Sequence, residues 1–553
     1  MPSTTKLRNW KSTLCFSRGA ALLAILLAGL AAPLHAQFTF VDLYDFSCGS
    51  GTSVGGCYPG DRGQLALGTD GNFYATTSTG GIHDFGTIFM MSTSGVETDL
   101  WPFDGINGWN SLAGLTLASD GNFYGTAELG GANSKGTVFR FTPPATVTLL
   151  HSFASTEGVP LSSPVQGADG NLYGVTNKGT TYSIALTTGT YQLLTPAPGA
   201  VSAPLLLASD GNLYGGTYTG GSTGNGAIFR MSTPGGAIKI IHNFTGTDGA
   251  AAEGGLVQAP DGNLYGTTNQ GGPNNNGEIF KMTPAGKITV LHTFDPNGVL
   301  DGDLPAADLM VASDGYLYGV NSGGGAGQFG TIFRISTSGS FTKLFDFTGT
   351  TGSVPGAYSA TGLTQHTNGS LYGLAYRGGA NDNGTFFSLL FPNLTEILII
   401  EGPIFVKPGV PVEILGNNLT HAIQVNFGGV QGTITGGSDT FLTATVPYAA
   451  VDGLVSVIYD TGLQTETVLS THILPAVTGF DPPSGSVGTV VTINGGGFTG
   501  AKKVAFGTVL ATSFTVLSPQ QIQATVPTGA KTGKIGVMTP NGSAKSSTKF
   551  TVR

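Results

Sequence analysis

Short apolar segments alternate with glycine-rich turns along most of the chain, and one phrase of this pattern recurs. It reads DGNFYAT, DGNFYGT, DGNLYGV, DGNLYGG, DGNLYGT, DGYLYGV and NGSLYGL. The copies begin at Asp70, Asp120, Asp169, Asp210, Asp261, Asp314 and Asn368, in steps of 41 to 54 residues. A repeat of this length is typical of propeller blades. The pattern therefore predicts an all-β, seven-bladed β-propeller over residues 37–392.

Each copy contains four predicted strands. The Asp-Gly or Asn-Gly pair favours a hairpin, because a type I′ turn needs positive φ at both central residues. The next strand places Leu264 and Tyr265 on opposite faces, as expected of a blade that packs between two neighbours. A Gly-Gly loop, a third strand and a closing strand follow. The third copy has a short loop at Lys178-Gly179, and we interpret it as a trimmed blade.

The two ends of the repeat array differ in a complementary way. A closing strand, FVDLYDF at 40–46, precedes the first copy, whereas the last copy ends at GTFFSLLF (384–391) without one. We therefore predict that the N-terminal strand completes the seventh blade. Such closure removes the exposed edge strands of an open array.

The pattern changes after residue 392. Residues 393–474 and 475–553 are each about eighty residues of alternating strands and Gly/Pro turns, enough for a small β-sandwich. The first segment contains VEILGNNL (412–419) and VNFGG (425–429), and the second contains VVTINGGGF (490–498) and VAFG (504–507). We predict two immunoglobulin-like sandwiches in succession.

Two family resemblances follow from these segments. The unit DGNLYGTT…GG…GEIFKMTP…ITVLHTF (261–294) resembles the tandem repeat of the choice-of-anchor GloVer-containing bacterial proteins, more closely than it resembles kelch. The segment PAVTGFDPPSGSVGTVVTINGGGF (475–498) resembles an IPT/TIG domain, and residues 393–474 repeat that scheme without its Pro-Ser-Gly opening. The repeat resemblance implies secretion and, in many members, a surface anchor, but it implies no activity and no catalytic residues.

Residues 1–36 have the organisation of a signal peptide. Four basic residues precede an apolar run from Gly19 to Ala32, and Leu34-His35-Ala36 offers a cleavage site before Gln37. The run is shorter than a membrane-spanning helix requires, and an uncleaved N-terminal anchor is the alternative. With no second hydrophobic span, we expect an exported protein, extracellular or at the cell surface, with the periplasm as an alternative.

The net charge disfavours one class of partner. Removing the four basic residues of the signal segment changes the net charge from −9 to −13. Residues 475–553 alone carry a net charge of +6, which we interpret as solubilising lysines. Because nucleic-acid binding depends on neutralising phosphates, the acidic body disfavours it. The remaining candidate partners are a polysaccharide or a cell-surface protein. The sequence does not indicate the oligomeric state.

Cysteine, histidine and turn aspartates suggest structural roles. Cys48 and Cys57 are expected to form a disulfide in the exported chain. Three histidines occupy one position of the repeat, where other copies have Tyr44, Trp101 or Phe345, so we interpret that position as one for a flat side chain. The histidines are His151, His242 and His292. Turn geometry accounts for the repeated Asp of Asp-Gly. No metal or cofactor is expected.

The loops after the closing strands vary between copies, as a binding rim should. Their candidate binding residues are Asp104, Trp109, Asp248, Glu253, Asp301 and Asp303. Glu157 and Asp295 belong to the same acidic loops, and the Asn/Gly-rich loops at 273–277 and 380–384 form a rival surface. No catalytic motif stands out. The leading hypothesis is a non-catalytic binding or scaffold protein, and the alternative is a secreted carbohydrate-active enzyme with a carboxylate pair in its rim.

Overall fold

A computed structural model describes residues 38–48, 55–60, 62–235, 238–359, 361–391, 396–400 and 404–553. The predicted signal segment, 1–36, lies outside the described residues, as does the predicted boundary at 392–393. The described chain is all-β apart from one short 3₁₀ helix, Leu419–His421. Within these ranges, no helix has the length and apolar character needed to cross a membrane.

The repeat region consists of small antiparallel sheets in chain order. The first strand of the chain is β1 (Thr39–Asp45), and the first sheet contains β2 (Gly56–Pro59), β3 (Ala66–Leu67), β4 (Phe73–Gly80), β5 (Thr87–Met91) and β6 (Glu97–Pro102). The second contains β7 (Thr116–Leu117), β8 (Phe123–Ala127), β9 (Thr137–Thr142) and β10 (Thr146–Ser152). The trimmed third copy still forms four strands, β11 (Val165–Gln166), β12 (Leu172–Val175), β13 (Thr181–Ile184) and β14 (Tyr191–Leu193).

The remaining repeat sheets follow the same order. The fourth contains β15 (Leu206–Leu207), β16 (Asn212–Gly216), β17 (Ala227–Ser232) and β18 (Ile238–Asn243), and the fifth β19 (Val257–Gln258), β20 (Leu264–Thr268), β21 (Glu278–Met282) and β22 (Ile288–Thr293). The sixth contains β23 (Met310–Val311), β24 (Tyr316–Asn321), β25 (Thr331–Ser336) and β26 (Phe341–Asp346), and the seventh β27 (Thr364–Gln365), β28 (Leu371–Ala375) and β29 (Thr385–Leu390).

Strand β1 completes the last of these sheets. It pairs antiparallel with β29, with Thr39 opposite Leu390 and Asp45 opposite Thr385. Phe40 stacks on Phe387 of the seventh sheet at a ring-centroid distance of 5.0 Å. The seventh sheet therefore obtains its outer strand from the start of the chain, as the complementary ends of the repeat array predict.

The Leu-Tyr or Phe-Tyr pair of each copy holds neighbouring sheets together. In the fifth sheet Leu264 packs in a cluster with Tyr214 of the fourth, whereas Tyr265 packs with Leu317 of the sixth. The same alternation joins the seventh sheet to the first, where Tyr372 packs on Phe73 at 4.8 Å. Each sheet is thus buried between two neighbours, and the described sheets are arranged as the blades of a β-propeller.

Two sandwiches follow the propeller. The strands of the first are β30 (Ile399–Ile400), β31 (Phe405–Val406), β32 (Pro411–Leu415), β33 (Ala422–Phe427), β34 (Val430–Gln431), β35 (Thr433–Gly437), β36 (Phe441–Thr445), β37 (Val455–Tyr459), β38 (Gln464–Glu466) and β39 (His472–Ile473). Those of the second are β40 (Ala476–Asp481), β41 (Ser484–Gly485), β42 (Val490–Gly496), β43 (Lys503–Phe506), β44 (Val509–Leu510), β45 (Phe514–Ser518), β46 (Gln521–Thr525), β47 (Gly533–Thr539) and β48 (Gly542–Val552).

The two sandwiches share one topology. The sheet order β30-β32-β36-β35 in the first corresponds to β40-β42-β46-β45 in the second. In the first, β33 pairs with β34 and β37, and β31 runs parallel to β39; in the second, β43 pairs with β44 and β47, and β41 runs parallel to β48. The first sandwich is therefore built like the second, although its sequence lacks the Pro-Ser-Gly opening.

The first sandwich packs against one end of the propeller. Thr440 donates a hydrogen bond to the carbonyl oxygen of Thr69 at 2.7 Å, and Ile397 donates one to Thr367 at 3.0 Å. Leu415 and Phe441 join the hydrophobic cluster between the seventh and first blades. Since Thr69 and Thr367 adjoin the Asp-Gly and Asn-Gly turns, we name this end the turn face and the opposite end the loop face.

Candidate functional site

The turn face carries a structural network. In six copies the turn aspartate accepts a hydrogen bond from the tyrosine four residues later, as Asp261 does from Tyr265 at 2.8 Å. Asp261 also accepts one from the backbone N–H of Asn263, at 3.0 Å, which is the turn chemistry that the sequence predicts. These carboxylates are therefore engaged within the fold, and the first sandwich covers part of the same face.

The sandwich also lies over the centre of the turn face. A cleft of about 660 Å³ is lined by inner-strand residues such as Leu117, Val165 and Val257 and by Ile404 and Leu469 of the sandwich. The second sandwich is attached through the first, because Asn541 donates to both carboxylate oxygens of Asp452, at 2.9 and 3.0 Å. The loop face is the end of the propeller that these described contacts leave open.

The two loop sets that the sequence presents as rivals lie together on the loop face. At four of the described blade junctions, backbone bridges join the loop after a closing strand to the start of the Gly-Gly loop of the following blade, as between Ala250 and Gln270 and between Asp303 and Gly323. The first glycine of the pair permits this approach: a Cβ on Gly271 would lie 2.5 Å from the carbonyl carbon of Gly249. The loops therefore form one surface and not two.

A funnel-shaped cavity of about 460 Å³ opens in the middle of this surface. We call it the loop-face funnel. Its wall on the fifth and sixth blades contains Glu253, Asn269 and Asp308, and its wall on the seventh and first blades contains Tyr358, Arg377 and Arg62. Acidic side chains from the fifth and sixth blades and basic side chains from the seventh and first blades thus line one cavity.

Two wall residues, like their counterparts in other loops, are held in a left-handed backbone conformation that only glycine adopts freely. The non-glycine residues at corresponding places in the loops are Tyr58, Asn110, Ala251, Leu304 and Tyr358, with φ between 53° and 57°. Such conformations cost free energy and tend to occur at functional sites. Leu304 and Tyr358 line the funnel, and their side chains are 43% and 47% exposed. The fold therefore presents different side chains from one geometric position.

The acidic wall contains one carboxyl group with a strongly shifted pKa. Asp308 accepts a hydrogen bond from the N–H of Gly255 at 2.5 Å. Burial nevertheless dominates and raises the pKa of Asp308 to about 6. Nearby, the amide nitrogen of Asn269 donates to Glu253 at 3.1 Å, and the Asn269 amide oxygen is buried without a hydrogen-bond partner among the described residues.

Of the six candidate binding residues, only Glu253 lines the funnel. Asp104 accepts backbone hydrogen bonds from Ile106 and Asn107, both at 2.9 Å, and so shapes its own loop. Trp109 lies on the same face, 40% exposed, with its ring 4.9 Å from that of Phe85. Burial and the neighbouring carboxylates raise the pKa of Asp303.

The other two candidates bind histidines. Asp248 lies 2.9 Å from Nε2 of His242, and Asp301 lies 2.8 Å from Nε2 of His292. Glu157 and His151 form a third pair at 3.3 Å in the second blade. His292 also stacks on Phe341, with the ring centroids 3.9 Å apart. The interpretation of this position as one for a flat side chain therefore accounts for the stacking but omits the contact with an acid. The copies with histidine are the ones with an acid six or nine residues later, a signal that the sequence contains.

Asp308, Arg62 and Tyr358 are absent from the sequence-based candidates. A signal for Asp308 exists, because the corresponding residues of the other copies are Gln64, Gly114, Ser163, Pro204, Gly255 and Gly362. Asp308 is the one carboxylate at a repeat position where the other copies have small or neutral residues, and this difference singles it out. The described residues contain no group of three or more His, Cys, Asp or Glu able to hold a metal ion.

Cys48 and Cys57 form a disulfide, with their Cα atoms 5.2 Å apart. Cys57 is buried in β2, whereas Cys48 is exposed. The bond joins Cys48, which follows β1 of the seventh blade, to β2 of the first blade. It therefore acts close to the point where the ring is closed.

Comparison with solved structures gives three distant likenesses. A fungal alcohol oxidase of the AA5 family with copper matches at 14% identity and a TM-score of 0.43, covering 77% of this chain and 97% of that one. The gluconolactonase XC5397 from Xanthomonas campestris matches at 13% and 0.34, covering 65% and 93%. The surface glycan-binding protein PbSGBP-B from Prevotella bryantii matches at 14% and 0.19, covering 28% and 42%. Scores of this size transfer no activity.

Family comparison is more specific. No curated protein matches the chain. The Gloeobacter/Verrucomicrobia repeat matches residues 34–190 and 176–387, which together span more than half of the chain. The IPT/TIG domain matches residues 475–552, which form the second sandwich. The chain therefore belongs to the Gloeobacter/Verrucomicrobia repeat family and carries an IPT/TIG domain at its C-terminal end.

Proposed function

We propose that the protein is an exported, surface-associated or extracellular protein that binds a polysaccharide in the loop-face funnel without cleaving it. Repeat and IPT/TIG domains together are typical of surface and scaffold proteins. The observation that carries the proposal is the funnel itself. It places tyrosines beside charged and amide side chains on the face that the sandwiches leave open.

The composition of the funnel suits a sugar. Aromatic rings such as those of Tyr358 and Tyr376 offer flat apolar faces, against which the C–H faces of a sugar ring pack. Glu253 and Asn269 line the funnel and offer hydrogen-bonding groups for ring hydroxyls. A mixture of aromatic surface and a few convergent polar groups is the usual composition of a ligand pocket.

The sandwiches fit the role of a stalk. The first is fixed beneath the turn face through Thr440 and Ile397, and the second is joined to the first through Asn541. Attachment of the C-terminal part to a surface would therefore direct the loop face away from that surface. We include residues 393–474 in this stalk as a second domain of the IPT/TIG type, on the basis of the shared strand order.

The test is a binding assay on the mature chain from Gln37 with a panel of soluble polysaccharides. Retention on an affinity gel and released reducing ends are both measured. We expect retention without release, and a loss of at least tenfold in affinity for Tyr358→Ala. Tyr448→Ala, an exposed tyrosine of the first sandwich at 39% exposure, is the matched control and should bind normally. Failure of every polysaccharide to bind would overturn the proposal.

One observation favours a second function, that of a carbohydrate-active enzyme. Asp308, with its pKa raised to about 6, shares the funnel with the carboxylate of Glu253. An acid with a raised pKa and a second carboxyl group are the components of glycoside hydrolysis. If the panel assay releases sugars, Glu253→Gln and Asp308→Asn should each abolish that release while the affinity for polysaccharide persists. Unchanged release in both variants would exclude this pair.

A further inference from the structure

The charges of the loop-face funnel are separated by blade. Arg377 belongs to the seventh blade and Arg62 to the first, and these two blades are neighbours in the ring. Glu253 and Asp308 belong to the fifth and sixth blades. A ligand that enters the funnel therefore meets a cationic wall formed by two adjoining blades and an acidic wall formed by the two blades before them.

Arg62 lies on the cationic wall and has no anionic partner among the residues that the structure describes. Its side chain is half-buried, and within the described ranges its guanidinium forms no ion pair or side-chain hydrogen bond. A charge that is partly withdrawn from water without a counter-charge costs free energy. Arg62 and Glu253 also stand at the same repeat position, eight residues before Asp70 and Asp261, where other copies have Leu112, Leu161, Ser202 and Ala306.

Arg377 is the second arginine of the cationic wall. Its guanidinium lies over the ring of Tyr58, 5.3 Å from the centroid. Its Nη1 atom is 3.4 Å from Asp382, but both side chains of this pair are about half exposed, so the pair is weak. An arginine that stacks on an aromatic ring keeps the edge of its planar fork free to bind a carboxylate through two hydrogen bonds.

We propose that the funnel binds an acidic polysaccharide, one whose sugars carry carboxylate groups, and that Arg62 and Arg377 bind a carboxylate of the chain. This inference rests on the proposed polysaccharide binding and specifies its ligand class. Tyr358 packs against the sugar ring, and Glu253 on the acidic wall accepts hydrogen bonds from hydroxyl groups.

The net charge of the protein rules against a general electrostatic attraction for an acidic polymer. Without its signal segment the chain carries a net charge of −13, so its overall field repels a polyanion. Binding of an acidic polymer then requires a local cationic site and does not arise from general attraction. Among the described funnel residues that site consists of the two arginines.

The test compares polygalacturonate with its methyl ester, which has the same backbone without the negative charges. The mature protein is titrated with matched-length oligomers of each by calorimetry in 150 mM NaCl. We expect the acid form to bind at least tenfold more tightly than the ester. Arg62→Gln and Arg377→Gln should each remove most of this preference, whereas Arg553→Gln, an exposed arginine of the second sandwich, should retain it.

The outcomes separate the two proposals. Equal binding of the acid and the ester, or binding of neutral polysaccharides alone, overturns the acidic-ligand inference and leaves sugar binding standing. A preference for the acid that persists in both funnel variants also overturns it, since the arginines would then not be responsible. If no acidic or neutral polysaccharide binds at all, the proposed function itself fails. Circular dichroism of each variant verifies that it is folded.

Discussion

His242 Nε2 lies 2.9 Å from Asp248 Oδ2, and this contact ties the closing strand of the fourth blade to the loop that follows it. The other oxygen of Asp248 accepts hydrogen bonds from the backbone N–H and the hydroxyl of Thr245, both at 2.8 Å. The second and fifth blades repeat the arrangement with Glu157 and Asp301. These acids hold the loops in shape, which explains why they do not line the funnel.

Replacement of Asp248 by Asn should give a pH-dependent loss of stability. Burial alone would raise the pKa of Asp248, but the Thr245 hydrogen bonds and the nearby His242 outweigh it and lower that pKa. A lowered folded-state pKa stabilises the protein above the unfolded pKa and ceases to do so as the pH falls through the folded value. We expect a loss of about 1–3 kcal/mol at pH 7.

The measurement is the melting temperature of wild type and Asp248→Asn at pH 7 and pH 3. The difference should be large at pH 7 and should narrow at pH 3. His242→Phe, which copies the sixth blade, removes only the histidine contact and should have a smaller effect. A difference that is equal at both pH values would show that the ionised carboxylate is not what stabilises the loop.

A second prediction concerns two buried tyrosines that differ in their hydrogen bonding. The hydroxyl of Tyr265 donates to Asp261 at 2.8 Å, whereas the hydroxyl of Tyr182 is buried without a partner in the described part of the chain. Tyr265→Phe should therefore cost about 1 kcal/mol, and Tyr182→Phe should be neutral or stabilising. Urea unfolding followed by tryptophan fluorescence is suitable, because Trp101 and Trp109 are the only tryptophans after residue 36. Equal losses in both variants would contradict the hydrogen-bond account.

The turn aspartates illustrate how far the sequence can be interpreted. The Asp-Gly phrase predicts the hairpin correctly, but the predicted type I′ turn is wrong, because only the glycine of each pair has a positive φ. The alternation of Leu264 and Tyr265 predicts packing on both neighbours. The bond between Tyr265 and Asp261 follows from the same spacing but requires knowing that both side chains lie on one face. The disulfide and the closing strand were predictable because each depends on the pairing of only two partners, Cys48 with Cys57 and β1 with β29.

The funnel was less predictable. Its lining comes from several blades, and the sequence does not show how closely the inner ends of these blades approach one another. Arg62 is adjacent in space to residues about 300 positions away, and Tyr358 reaches the funnel from a left-handed backbone conformation that no local signal requires. Glu253 was identified only because its loop is acidic. Variation at equivalent repeat positions, as at Asp308, is the signal that would have found more of the site.

Asp308 leads to a third prediction, opposite in sign to that for Asp248. Burial raises its pKa from 3.8 to about 6, so the folded protein holds a proton that the unfolded chain has already released over this interval. The stability contributed by this group therefore falls as the pH rises from about 4 to 6. Asp308→Asn should consequently melt higher relative to wild type at pH 7 than at pH 4, by about 2 °C or more. Differential scanning calorimetry gives the melting temperatures of wild type and variant at each pH. A difference between the two proteins that is the same at pH 4 and pH 7 would contradict the raised pKa.

A fourth prediction concerns ring closure by β1. Phe40 packs on Phe387 and lies within 6.5 Å of Phe347, measured between ring centroids. Because Phe40 is half-buried, its replacement by Ala should cost about 2–3 kcal/mol, somewhat less than a fully buried phenylalanine. Urea unfolding monitored by the propeller tryptophans provides the value. Val96→Ala, at a side chain 63% exposed, should change stability by less than about 0.5 kcal/mol. A small effect for Phe40→Ala would mean that β1 contributes little to closure.

The pairing of Thr39 with Leu390 also determines the order in which the propeller is completed. During synthesis β1 is the first blade strand to emerge, yet its partner β29 is the last repeat strand to be made. The seventh blade therefore remains incomplete until almost the whole repeat array has been translated, and such distant pairings form slowly. Under the export that we propose, this delay would leave β1, which follows the predicted signal segment, without its partner until β29 has been made.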